Sequence, residues 1–177
     1  MVIYSKFVIC MEEIYLDDID IRLLDHLQKD ASLSNLELAE RVHTSPPTCL
    51  RRVKRLREAG IIERQVAHIS PDRLSAALGA GLCAIVEITL DRQGSEWLDA
   101  FERLVAHDDA VQQCYRVSPG PDLVLVVHTA DMPAYLALAQ RLFAETANVR
   151  NVKAFFSVKR SKFGAQLPLT VPAAVSG

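Results

Sequence analysis

The sequence has no run of 18 apolar residues, so it offers no candidate membrane-spanning helix. Met1–Cys10 is mildly apolar with a lone Lys6 and lacks both the long apolar core and the small-residue cleavage site of a secretory signal. Met11, just ahead of an acidic helix start, reads as the initiator, with residues 1–10 as an upstream extension. The four cysteines, Cys10, Cys49, Cys83 and Cys114, form no C-x-x-C pair, which predicts free thiols in a reducing cytoplasm. The five histidines are scattered, so no zinc-ligand spacing is present and no metal site is expected. Nucleophile–base pairs and Gly-rich phosphate loops are missing too. The reading is therefore no enzyme and no cofactor.

What is present is a local charge asymmetry. Half of the 177 residues are hydrophobic and 24% are charged, with a net charge of only −2, ordinary for a soluble protein. From Arg41 to Arg64, however, seven basic residues face two acidic ones, whereas from Pro71 onward ten face eleven. A basic excess confined to one segment is the electrostatic footprint of a phosphate partner, and the helices that carry it point to double-stranded DNA.

That segment sits in a run of helical patterns. Leu16–Asp20 opens an amphipathic helix that carries Ile19, Leu23, Leu24 and Leu27 and ends near Asp30, with acids crowding its first turn. Ser34 with Glu37 makes a capping box for a second helix bearing Leu36, Leu38, Ala39 and Val42. After His43-Thr44, Ser45 is expected to cap a third helix that tolerates Pro46 and Pro47 in its first turn and stops at Gly60. At 100° per residue, Cys49, Leu50, Val53 and Leu56 gather on an inner side and Thr48, Arg51, Arg52 and Arg55 on an outer one. Three short helices of this kind are the parts of a helix-turn-helix, whose second motif helix enters the major groove. Ser45 and Thr48 then lie nearest the bases, and Arg51 is placed for a guanine contact. Arg52, Lys54, Arg55 and Arg57 are assigned to phosphate.

The rhythm changes after residue 61. Ile61–Ile69 reads as a strand leading out of the first unit, and Pro71–Leu74 as the start of a helical linker. Strand patterns follow at Leu82–Leu90, Val111–Val117, Leu123–Thr129 and Val149–Lys159, with helices over Gly94–His107 and Met132–Glu145. The order β-α-β-β-α-β predicts a ferredoxin-like α+β unit. Its apolar strands suggest that both sheet faces are covered, hence dimerisation through the sheet. The predicted domains are an N-terminal extension (1–15), a winged-type helix-turn-helix (16–60), a linker strand and short helix (61–79), the ferredoxin-like domain (80–160) and a loosely ordered tail (161–177).

LDDIDIRLLDHLQKDASLSNLELAERV, SPPTCLRRVKRLREAGII and SPDRLSAAL, followed by VEITL, DMPAY and SVKRSKFGAQLPL, resemble the leucine-responsive regulatory protein/AsnC (Lrp/AsnC) family of prokaryotic transcription regulators over residues 16–169. The resemblance implies a cytoplasmic, nucleoid-associated regulator of amino-acid metabolism that responds to an amino-acid effector. It also implies homodimers that assemble into tetramers or octamers. By the family's pattern the effector lies between associated C-terminal domains, at positions that here are Ser118, Gly120 and Asp122, Asp131 and Met132, and Phe155, Phe156 and Ser157. Asp122 suits an α-amino group, or else caps its own turn. The family's usual loop glycine is replaced by Pro119, which has no N–H to offer a carboxylate, with Gly120 one place later. The usual glycine of the helix-turn-helix turn is His43, which tolerates left-handed backbone. An architectural, DNA-wrapping role remains open beside the regulatory one.

Overall fold

The computed structural model describes residues 14–79, 81–146 and 148–169; the expected initiator and the residues 1–10 ahead of it lie outside them. The chain divides into two units. The first runs to His68 and takes up the chain again at Phe163, and the second spans Ile69–Lys162.

In the first unit, α1 (Asp18–Lys29), α2 (Asn35–Arg41) and α3 (Pro46–Glu58) each begin at a polar cap. Asp17 accepts from the Asp20 N–H at 2.9 Å and the Asp20 carboxylate accepts from the Asp17 N–H at 3.2 Å. Ser34 and Glu37 form the expected reciprocal pair. Ser45 departs from expectation and makes no side-chain bond to its helix backbone. Pro47 removes one of the two N–H groups an N-cap side chain normally reaches. The Ser45 hydroxyl instead meets that of Thr48 at 2.8 Å. Gly60, at φ +72°, ends α3: its N–H bonds to the Arg57 carbonyl while Ile61 N–H reaches Leu56, two bonds that close the last turn.

Leu23, Leu38, Val42, Cys49, Val53 and Leu56 are buried and join the three helices. Leu50, expected on the inner side, is 60% exposed. It lies about 100° around the helix from Cys49, too far to follow it inward. The expected strand over Ile61–Ile69 does not form: the Ile61 and Ile62 N–H groups bond back to the Leu56 carbonyl, and the segment has no ladder partner among the described residues, which a strand needs. The tail also departs from expectation. The Leu167 N–H donates to Gln28 Oε1 at 2.8 Å and its carbonyl accepts from Gln28 Nε2 at 2.9 Å. His68 and Phe163 pack edge to face, 5.4 Å between ring centres.

In the second unit, α4 (Pro71–Leu78) precedes β1 (Leu82–Leu90), α5 (Ser95–Ala106), β2 (Val111–Arg116), β3 (Leu123–Thr129), α6 (Met132–Ala139), a π-helical turn (Gln140–Ala144) and β4 (Val149–Phe156). The four strands form one antiparallel sheet in the order β2-β3-β1-β4. The β-α-β-β-α-β prediction is thereby met. The last strand stops at Phe156 rather than Lys159.

Alternation decides what each face meets. Ala84, Val86, Ile88 and Leu90 of β1, with Leu123, Leu125 and Val127 of β3, are buried against Phe101 and Val105 of α5 and Tyr135, Leu138, Leu142 and Phe143. The residues between them form the opposite face. There Ile85 pairs with Val126 and Phe155, and Val124 pairs with Glu87 and Tyr115. Among the described residues this side is left open: Ile85, Tyr115 and Phe155 are 45%, 52% and 53% exposed.

Candidate nucleic-acid interface and ligand residues

The turn before α3 is set by backbone bonds from Thr44 to Ala39 and from His43 to Glu40, with His43 at φ +56°. Imidazole accepts that left-handed conformation at modest strain, so the family's missing glycine does not open the turn. Asn35 Nδ2 donates to the Pro46 carbonyl at 2.9 Å and fastens the start of α2 to the start of α3.

The buried stripe of Cys49, Val53 and Leu56 fixes which way α3 faces. Ser45, Leu50, Arg51, Lys54, Arg55 and Arg57 are exposed and Thr48 is half-buried. Among the described residues Arg51 has no hydrogen-bond or ion-pair partner, so its guanidinium is free for a base edge. Lys54 makes only a 3.7 Å pair with Glu58 on the same exposed face. Arg57 donates to Gln65 Oε1 at 2.8 Å.

Arg52 corrects the sequence reading. It is one of the four cations assigned to phosphate, but it turns inward. Its Nη1 bonds both carboxylate oxygens of Asp17, at 2.8 and 2.7 Å, and Asp20 Oδ1 at 2.9 Å. Asp20 is 1% exposed and also pairs with Arg55. Burying a carboxylate is costly unless it is paired and hydrogen-bonded, and Asp20 recruits two guanidiniums and one backbone N–H to that end. Arg52 is thus a clasp between α1 and α3. Arg55, 46% exposed, is shared: it commits one Nη to Asp20 and still faces outward. Burial raises the Asp17 carboxyl, but the Asp20 N–H and the Arg52 guanidinium outweigh it and leave it below the usual carboxylate range. The same carboxylates push the Arg52 guanidinium up.

Leu50 is the residue that sequence reasoning missed. It stands exposed between Pro47 and Lys54 on the first half of α3, where an apolar side chain can pack on a thymine methyl. The signal was available, because its angular position separates it from Cys49 and Leu56, by about 100° and about 120°.

The eight residues mapped as effector-lining do not come together within one chain. The loop carrying Ser118, Gly120 and Asp122 joins β2 to β3, and its end is beside Ile88 and Leu90 of β1. Asp131 and Met132 follow β3, and Phe155–Ser157 pair with the start of β1, the Ser157 N–H reaching the Cys83 carbonyl. The two groups are therefore separated along β1: Asp122 bonds at Leu90, whereas Ser157 bonds at Cys83, seven residues or about 23 Å away, and Phe155 lies opposite Ile85, five residues or about 17 Å away, at about 3.3 Å per residue. Asp122 does not cap its own turn among the described residues: its carboxylate accepts from the Leu90 N–H at 2.7 Å and Gln93 Nε2 at 3.3 Å, which ties the loop to the end of β1. Asp131 caps α6 through the Ala134 N–H at 2.8 Å. Phe156 packs edge to face on Tyr135, 5.0 Å between ring centres, whereas Phe155 is on the opposite side of the sheet. Met132 is 41% exposed. Among the described residues no group of three or more His, Cys, Asp or Glu is placed to hold a metal ion, and no helix is long and apolar enough to cross a membrane.

Comparison with known proteins agrees with both units. Residues 16–63 match the model for winged helix-turn-helix DNA-binding domains, and residues 83–167 match the Lrp/AsnC ligand-binding domain. The chain is 35% identical over 147 residues to the leucine-responsive regulatory protein of Escherichia coli K12, covering 83% of this chain and 87% of that protein. A Haemophilus influenzae HTH-type transcriptional regulator is 36% identical over 147 residues, with 83% and 85% covered. Among solved structures, an AsnC family transcriptional regulator from Agrobacterium tumefaciens aligns with a TM-score of 0.76 at 31% identity, covering 87% of this chain and 97% of that one. A Neisseria meningitidis transcriptional regulator in complex with L-Met gives 0.76 and 31%, covering 88% and 97%. These relatives are transcriptional regulators, not enzymes. The chain belongs to the Lrp/AsnC family of DNA-binding transcriptional regulators, an N-terminal helix-turn-helix joined to a C-terminal ligand-binding domain.

Proposed function

We propose that this regulator acts as a homodimer or larger assembly on genes of amino-acid metabolism, switched by an amino-acid-like effector held between C-terminal domains of different copies. It works in the cytoplasm, on the nucleoid, without metal or prosthetic group. The observation that carries the reading is the split site: the loop at Ser118–Asp122 lies at one end of β1 and Phe155–Ser157 at the other. Residues about 20 Å apart in one chain reach a common small ligand only when the two groups come from different copies. The uncovered sheet face supports the dimer, since Ile85, Val126 and Phe155 run across it as one apolar row flanked by Tyr115 and Val124. The L-Met held by the Neisseria relative supports the effector class. On DNA, two copies present two α3 helices to two half-sites. Arg51 and Leu50 read bases, and Lys54, Arg55 and Arg57 hold the backbone.

Gel shifts on the chain's own promoter region, with and without each amino acid, test the effector. Sedimentation of the wild type and of Ile85→Lys tests the assembly. The proposal expects one amino acid to change DNA affinity, Asp122→Ala to abolish that response while DNA binding persists, and Ile85→Lys to shift the mass to monomer. Salt-insensitive, nonspecific binding with no amino-acid response would overturn it. High affinity for many unrelated sites would favour the architectural role instead.

A further inference from the structure

The second unit holds a hollow of about 510 Å³ that shares no residue with the effector positions above. It lies between the turn after β1, one face of α5 and the approach to β4, with Trp97, Phe101 and Leu104 as an apolar floor and Asp91, Arg92 and Asn148 at the rim. The rim is held by bonds from the Asp91 and Arg92 backbone to the backbone and side-chain amide of Asn148. The Asp91 N–H donates to the Asn148 carbonyl at 2.9 Å, the Arg92 N–H donates to Asn148 Oδ1 at 2.9 Å, and Asn148 Nδ2 donates to the Arg92 carbonyl at 3.2 Å. These bonds use the Asn148 amide and fix two adjacent charged residues. Arg92 places its guanidinium 5.0 Å from the centre of the Trp97 ring. Among the described residues neither that guanidinium nor the Asp91 carboxylate has a hydrogen-bond or ion-pair partner.

We propose that this hollow is a second ligand site, complete within a single chain, for a zwitterionic α-amino acid with an apolar side chain. The chemistry is matched group by group. A guanidinium steadied on an indole face grips a carboxylate through two parallel N–H bonds. The neighbouring carboxylate of Asp91 accepts from the α-ammonium. The side chain then covers Trp97, Phe101 and Leu104 and takes apolar surface out of water. The volume falls within the range of small-molecule sites, about 300–1,000 Å³. An amine or a fatty carboxylate of the same shape satisfies only one of the two charges, and that distinguishes the zwitterion from either. The rim is also wired to the effector loop: Asp122 accepts from the Leu90 N–H and from Gln93 Nε2, the residues on either side of Asp91 and Arg92. Occupancy of the hollow therefore bears on the loop Ser118–Asp122.

Trp97 is the single tryptophan of the chain, so its emission reports the hollow directly. The full chain, without DNA, is titrated with L-leucine, L-isoleucine and L-methionine, and with two leucine analogues, isopentylamine and 4-methylpentanoate, that each lack one charge. At least one amino acid is expected to change the emission saturably, with neither analogue doing so. Arg92→Gln also removes the group stacked on the indole, so it and Asp91→Asn are read by calorimetry. Each is expected to weaken binding at least about tenfold. No saturable response to any of the three amino acids, or an equal response to an analogue, would overturn the proposal. So would unchanged affinity in both variants, because the ligand would then lie only between copies. The result stands apart from the effector reading above: a Trp97 response without any change in DNA affinity defeats that reading alone, and the converse defeats only this one.

Discussion

The two units are held together by different physics. The sheet unit rests on thirteen buried residues that are apolar except for the Tyr135 hydroxyl, and its cluster of Arg116 with Asp99 and Glu102 lies on an exposed edge. The helix-turn-helix unit has a smaller apolar core and adds a buried carboxylate, Asp20, gripped by two arginines of α3. A small three-helix unit has little apolar surface to bury, so orienting α3 falls partly to charge. The difference teaches that a basic helix in this fold serves two masters. One arginine is spent on posture, one is shared, and the rest face outward.

The comparison can be broken at its strongest point first. Leu125→Ala removes a fully buried side chain from the sheet core and is expected to cost about 2–5 kcal/mol in that unit alone, read by chemical denaturation with hydrogen exchange assigning the loss to residues 82–156. Asp20→Asn should cost somewhat less, about 2–3 kcal/mol in the first unit. Removing one partner strands buried charge, but Arg55 is half exposed and its share is screened by water. If Asp20→Asn is neutral, the clasp is decoration and the contrast between the units fails.

Acid gives the smallest and most graded effect. Four carboxylates of the first unit are held below their usual range: Asp17 by the Asp20 N–H and Arg52 against its burial, Asp25 by Lys29, Asp30 by the Ser32 hydroxyl and N–H, and Glu37 by the Ser34 hydroxyl and N–H. Their unfolded forms bind protons at higher pH than their folded forms do. Their contribution is thus fully present above the usual carboxylate range, near about pH 4, and is lost as pH falls through the lowered folded values. The melting temperature of the first unit should therefore drop between about pH 5 and pH 2, with the carboxylate-free sheet core as the internal reference. A flat profile for the first unit would remove the ionic half of the comparison.

Much of this was legible in the sequence because it is local. Period-3.6 apolar spacing marked α1 to α3, the Ser34–Glu37 box is visible as a motif, and the apolar run LCAIVEITL could hardly be other than an interior strand. What escaped depends on contacts far apart in the chain. Arg52 looks like its neighbours until Asp17 and Asp20, 35 and 32 residues earlier, are brought to it. The Gln28–Leu167 pair spans 139 residues and turns an apparently loose tail into part of the first unit. The effector residues were named by motif, but their division between two ends of β1 is a property of strand order, which no single motif carries.

We propose that the outward residues of α3 divide the work on DNA, with Arg51 reading bases and Lys54 holding phosphate. Fluorescence anisotropy of Arg51→Ala and Lys54→Ala, on the cognate promoter and on a scrambled duplex across a salt series, tests it most directly. Arg51→Ala should lose about 1–3 kcal/mol of preference for the cognate site, and Lys54→Ala should weaken both duplexes alike and lower the salt slope by about one. Equal losses from both variants with preference unchanged would contradict it.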